Sequence, residues 1–233
     1  MQDGVALRVI GENETPREFL QKEVDAYRSR FKEVAPIALV DINSKSQMAR
    51  ALGMQETDLT DEDMRDIRED IETKNKWGGY GFDSKEIAIF VREKVLDSKR
   101  LEMLMMHESI HALTARNKDF LWLGQYMWVN AKKDAPLLGF RSQIAKKEPK
   151  NRWYDEMAAY VISLHMENGT ISELESLLDA ANRDRLNDLL NELGYDKESE
   201  TAARDTAFVL RDNGYQKWAQ KIRKRKAKKE KSE

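Results

Sequence analysis

The sequence predicts an α+β fold, mostly helical with a small mixed β-sheet, and three observations carry that prediction. Apolar residues recur at helical spacing, beginning with Leu20, Val24, Tyr27 and Phe31 at i, i+4, i+7 and i+11. Short β-branched runs at 37–42 and 86–91 read as strands. The stretch from Leu101 to Leu113 is apolar on nearly every side, as a buried helix is, yet it contains His107, Glu108 and His111.

Composition sets the bounds. A chain of 233 residues with 40% hydrophobic content can bury a real core, and 35% charged residues implies a heavily solvated surface. The formal charge of -2 hides an acidic stretch from Glu56 to Glu72 and a basic one from Lys221 to Lys231. The absence of cysteine excludes disulfides, thiolate metal sites and cysteine nucleophiles. No apolar run approaches a membrane span and no apolar signal segment opens the chain, so we expect a soluble, cytoplasmic protein with no membrane partner.

Taken in order, residues 1–14 read as a linker, as in a module cut from a longer protein. Thr15, Pro16 and Glu18 then spell a capped helix start, and Pro36 is expected to end that helix. Residues 37–42 form a buried strand, and 46–52 a short helix capped by Ser46 with Gly53 just beyond it. The acidic stretch 56–76 reads as a solvated surface helix or insertion, since the ligand spacing of a calcium loop is missing. Residues 78–91 read as a hairpin with a glycine-rich first arm and an Asp83-Ser84 turn. Asp97 or Ser98 caps the helix that follows.

The aromatic-rich segment 120–129 is expected to be core or pocket wall. A connecting segment over 132–151 precedes a helix from Trp153 to Met166, and further helices are expected within 172–211. The last residues have too few apolar groups to pack. The expected organisation is therefore a linker (1–14), a main domain (15–168), a helical extension (169–220) and a disordered basic tail (221–233).

His107, Glu108 and His111 form the pattern H-E-x-x-H. Spacing i, i+4 puts both imidazoles on one helix face, where they can share a metal ion, and the glutamate can act on a water beside it. With three histidines in the chain, a chance match is expected on the order of a few times per thousand sequences. Two alternatives stay open: histidines satisfied by backbone carbonyls in a core, and a metal site kept for folding alone.

A catalytic zinc wants a third protein ligand and an open position. His165 lies nine residues after Glu156, on the opposite face of the same helix, and reads as packing or surface. A carboxylate is the better candidate. Glu156 sits beside the small residues Ala158 and Ala159, which would let two helices approach closely, and Asp155 is the alternative.

On these residues the stretch 15–168 resembles a zincin-fold metallopeptidase of the gluzincin kind. The resemblance implies that His107, His111 and Glu156 bind Zn²⁺ and that Glu108 is the general base for a metal-activated water. Three related patterns are absent. The metzincin extension needs glycine at position 114 and histidine at 117, where this chain has Thr114 and Asn117. The thermolysin-like pattern around the third ligand keeps only Glu156, so the histidines must be oriented some other way. Peptide deformylases need a cysteine ligand. A further resemblance is to zincin modules within polyvalent proteins of phages and conjugative elements, which implies an element-encoded or host protein as substrate.

The expected function is zinc-dependent hydrolysis of a protein or peptide substrate. Tyr160 and Tyr80 are candidate oxyanion donors. Ile87, Ala88, Ile89, Phe90 and Val91 are expected to form an edge strand that pairs with extended substrate. The competing reading is an inactive scaffold that binds protein or nucleic acid through its basic tail, in which eight of eleven residues from Lys221 to Lys231 are Lys or Arg.

Overall fold

The computed structural model describes residues 7–8, 14–31, 34–116, 121, 124–125, 127–128, 141–146, 148, 150–167 and 214–231. It bears out the α+β class, with helices and a small three-stranded mixed sheet. Packing divides the chain into two units, one made of Met1–Met105 with Asn213–Glu233 and the other of Met106–Asp212. The helices expected within 172–211 lie outside the described residues.

In the first unit the expected linker contains a strand. β1 (Leu7–Arg8) pairs antiparallel with Val95–Leu96, so this part of residues 1–14 is ordered by main-chain bonds made far along the sequence. α1 (Pro16–Arg30) opens with the expected capping box: the Glu18 N–H donates to Thr15 Oγ1, and the Thr15 N–H donates to Glu18 Oε2 at 2.8 Å. It ends before Pro36 is reached, because Phe31 turns extended at φ -129° while its N–H still bonds the Tyr27 carbonyl.

β2 (Ile37–Asp41) leads to α2 (Lys45–Ala51), which is capped by Ser44 rather than Ser46. Gly53 follows with φ +66°, a left-handed conformation that costs other residues about 1–2 kcal/mol. α3 (Asp61–Thr73) begins with a second capping box, from Thr60 and Asp63. Met64, Ile67 and Ile71 are buried at i, i+3 and i+7, so the acidic stretch is amphipathic rather than solvated on all sides.

β3 (Gly78–Gly81) and β4 (Glu86–Val91) form the expected hairpin, but β4 is not an edge. The sheet order is β2-β4-β3, with β4 parallel to β2 through Ile37↔Ile87 to Asp41↔Val91 and antiparallel to β3 through Gly78↔Ile89 to Gly81↔Glu86. Both sides of the Ile87–Val91 backbone are thus committed to neighbouring strands, the Phe90 N–H bonding the Trp77 carbonyl at 2.9 Å. No row of free main-chain groups remains there for a substrate. The run looked like an edge because periodicity reports which faces are buried and not which strands lie alongside.

Ala38, Val40, Ala88 and Phe90 share one sheet face and join a cluster with Met48, Leu52, Met64, Ile67 and Ile71 from α2 and α3. α1 packs on β2 and β4 with Phe19, Leu20, Val24 and Tyr27, none of which joins that cluster, so it covers the other face. β5 (Val95–Leu96) then delivers the chain into α4 (Ser98–Arg116), whose first turn is capped by Asp97 Oδ1 accepting from the Arg100 N–H at 2.9 Å.

The basic tail also departs from expectation. After α5 (Trp153–Glu167), residues 214–230 form α6 (Gly214–Glu230), which belongs to the first unit. Ala219 and Ile222 are buried, and Trp218 packs on the α2/α3 cluster with the Lys76 ammonium 4.6 Å above its ring. Lys221 pairs with Asp66 at 2.7 Å, Arg223 with Asp83 at 2.9 Å and Lys226 with Asp58 at 2.6 Å, and Arg225 contacts the buried Asp63. The tail orders because the acidic stretch supplies opposite charge at matching positions and one apolar edge supplies burial. Among the described residues no helix is long and apolar enough to cross a membrane.

Candidate metal centre

The centre lies in the second unit and is built from two helices. On α4 the spacing of His107 and His111 stacks their rings one turn apart, centroids 4.6 Å apart and nearly perpendicular at 85°. Their Nε2 atoms are 3.0 Å from each other. A carboxylate oxygen of Glu108 and one nitrogen of each imidazole lie within 4.8 Å of one another. Glu108 and His111 are buried, and His107 keeps a partly open side.

α5 brings two adjacent carboxylates to different sides of these rings. Glu156 Oε2 lies 3.4 Å from His107 Nε2, and Glu156 Oε1 lies 3.6 Å from His111 Nε2. Asp155 Oδ2 lies 2.7 Å from the other nitrogen of His111, Nδ1. That short contact gives the buried Nδ1 a charged partner on the side of the ring away from Nε2. The geometry thus separates the two acids the sequence left open: Glu156 faces both Nε2 atoms, and Asp155 braces the back of His111. The expected lack of an orienting aspartate is met by a residue one position before Glu156.

Asp155 is itself anchored. Thr114 Oγ1 lies 2.5 Å from Asp155 Oδ1 and 2.9 Å from the His111 carbonyl, and its single proton is better used on the carboxylate. Thr114 is seven residues after His107, two turns along the same face. The close approach of α5 is permitted by Ala158 and Ala159, both fully buried, and by Gly124, where a Cβ would lie 1.8 Å from the Tyr154 carbonyl oxygen.

Two residues that sequence reasoning passed over complete the charge pattern. The side chain of Arg152, only 12% exposed, donates to Glu148 Oε2 at 2.7 Å and contacts Glu156 Oε1. Glu148, Arg152 and Glu156 are spaced i, i+4, i+8, and that ladder was the available signal. Trp153 stacks on Trp128 at 4.7 Å, and the Arg141 guanidinium lies over Trp128 at 4.9 Å, so Met127 and Trp128 of the aromatic segment are buried packing, within the expected core or pocket wall.

The electrostatics follow from burial and charge. Burial alone would lower the pKa of His111, but Asp155 and Glu156 outweigh it and push it up to about 9. Burial would raise Glu156, but His111 and Arg152 hold it well below the usual carboxylate range. Glu108, Asp155 and Glu156 crowd around two imidazoles and one guanidinium, so the centre carries a surplus of acid that favours a cation.

The donor set fits a metal ion. A tetrahedral ion with bonds of about 2.1 Å sets its ligand atoms about 3.4 Å apart. The separations of 3.0, 3.4 and 3.6 Å among His107 Nε2, His111 Nε2 and the Glu156 oxygens lie around that value. His107, Glu108 and His111, whose ligand atoms lie within 4.8 Å of one another, can hold a metal ion, and the Glu156 oxygens lie 3.4 and 3.6 Å from the two imidazole nitrogens.

The remaining candidates fall out as follows. Tyr160 sits over His107, ring centroids 4.7 Å apart, and is 40% exposed. Burial of its hydroxyl and the nearby Glu156 push its pKa up to about 12, so it keeps its proton at neutral pH. Tyr80 is buried in the first unit with its ring edge on Phe82 at 5.2 Å. The side chain of His165 lies outside the described residues. No family model, curated protein or solved structure matches this chain.

Proposed function

We propose that the chain is a zinc-dependent peptidase of the gluzincin type, working in the cytoplasm on a protein or peptide substrate. One observation carries the reading: His107 Nε2, His111 Nε2 and the Glu156 carboxylate converge on one point, with Glu108 beside it. His107, His111 and Glu156 would hold the ion, with Asp155 fixing the ring of His111. A bound zinc ion would supply Lewis acidity there, polarising a peptide carbonyl and acidifying a water.

The chain's own residues do the rest. Glu108 takes a proton from the attacking water as its oxygen adds to the carbonyl carbon, then passes that proton to the amine nitrogen as the C–N bond breaks. Tyr160, with its proton retained, donates a hydrogen bond to the oxygen on which negative charge develops. In a module of a phage or conjugative-element protein the substrate would be a host or element-encoded protein.

The test is metal content together with turnover of an unfolded protein substrate by wild type and Glu108→Gln. We expect one zinc per chain in both, and turnover lower by about 10²- to 10⁴-fold in the variant. A wild type without stoichiometric metal sinks the proposal. The competing reading, nucleic-acid binding through residues 221–233, draws less support, because Lys221, Arg223, Arg225 and Lys226 already face aspartates.

A further inference from the structure

Arg152 has no part in the peptidase scheme above, yet among the described residues it is the one guanidinium buried against a candidate ligand. It closes the turn Lys150–Arg152 that leads into α5, and reaches back one turn to Glu148 and forward one turn to Glu156. The Trp153 indole donates to the Glu148 carbonyl at 2.9 Å, so the residue that holds one side of the fork is itself fixed. A guanidinium presents its donors in a rigid plane, which suits it to hold two carboxylates at once.

We infer that Arg152 is a positioning residue that holds Glu156 in register with the two imidazoles, so that the third ligand is in place before the metal arrives. The inference rests on the metal-site reading and not on peptidase activity. It runs against the simplest electrostatic expectation. A cation beside a divalent-ion site repels that ion, so if Arg152 acted only through its charge, its removal would tighten binding. If it acts by holding Glu156, its removal loosens binding, and the sign of the change separates the two.

The experiment titrates Co²⁺ into the metal-free 233-residue chain and follows the visible absorption of the bound ion, whose intensity and position report ligand number and geometry. Arg152→Met is expected to bind Co²⁺ about 10- to 100-fold more weakly, with an altered spectrum. Arg152→Lys, which keeps charge but loses the fork, is expected to recover part of the affinity. Because Arg152→Met leaves two acids without their partner, the double variant Arg152→Met/Glu148→Gln is measured beside it. That variant removes one charge of each sign and is expected to bind as weakly as the single one.

Equal or tighter binding with an unchanged spectrum, in either methionine variant that folds, overturns the inference. A wild type that binds no Co²⁺ overturns it together with the metal site. A wild type that binds Co²⁺ but cleaves nothing overturns the peptidase reading alone, and leaves the comparison of variants to decide the role of Arg152.

Discussion

Replacing Asp155 and Glu156 in turn tests the division of labour between them. Glu156 faces both Nε2 atoms at 3.4 and 3.6 Å, whereas Asp155 touches only the rear nitrogen of His111 at 2.7 Å and the Thr114 hydroxyl at 2.5 Å. Glu156→Ala removes one of the three proposed ligands and is expected to abolish stoichiometric zinc. Asp155→Ala leaves the proposed ligands in place and frees the His111 ring, which is expected to weaken zinc binding about 10- to 100-fold, or roughly 1.4–2.7 kcal/mol. It also leaves a buried ring nitrogen without its charge partner, so the metal-free protein should lose about 1–3 kcal/mol of stability. A competitive chelator titration gives the affinities, and thermal denaturation without metal gives the stability. If Asp155→Ala loses zinc completely while Glu156→Ala keeps it, the ligand assignment is reversed and the reasoning fails.

Gly124→Ala places a methyl 1.8 Å from the Tyr154 oxygen, a backbone atom that cannot step aside, so a loss of about 1–3 kcal/mol is expected in thermal melts, with weaker zinc binding although no ligand is changed. On α6, Ile222→Ala is expected to cost about 2–3 kcal/mol, because Ile222 is 3% exposed, whereas Lys226→Ala, whose ion pair lies in solvent, should change little. Hydrogen exchange of α6 amides distinguishes the two, and equal effects would mean that charge rather than burial docks the helix. Acid should release α6. Lys226 lowers Asp58, and Arg225 and Thr60 lower Asp63 against its burial, so these pairs stabilise the fold fully above the ordinary value of 3.8 and fade as pH falls through the lower folded values. Tryptophan fluorescence of Trp218 against pH follows this, and no change between pH 5 and 2 would contradict it.

Local signals were read well from the chain. The capping box of Thr15 and Glu18, the hairpin around 82–85 and the span of α5 all follow from interactions within a few residues, which the order of amino acids states directly. Ser46 was misread as the cap of α2 because two serines offer the same chemistry and only the path of the chain from β2 selects Ser44. The ladder Glu148, Arg152, Glu156 marks Arg152 as paired, but its burial follows only from tertiary packing, because i, i+4 charge pairs are as common on solvated helix faces.

What the sequence determined by itself is the half-site on α4, since the i, i+4 spacing of His107 and His111 makes their convergence a property of one helix. Only the tertiary structure decided the rest. It placed Glu156 in front of the imidazoles and Asp155 behind them, a choice set by the rotation of α5 about its axis, which Gly124, Ala158 and Ala159 fix by packing. It put β4 in the middle of its sheet, because strand order depends on partners distant in the chain. And it turned the basic tail into a docked helix, because ion pairs between Lys221–Lys226 and Asp58–Asp83 join positions some 140 to 168 residues apart that no local pattern connects.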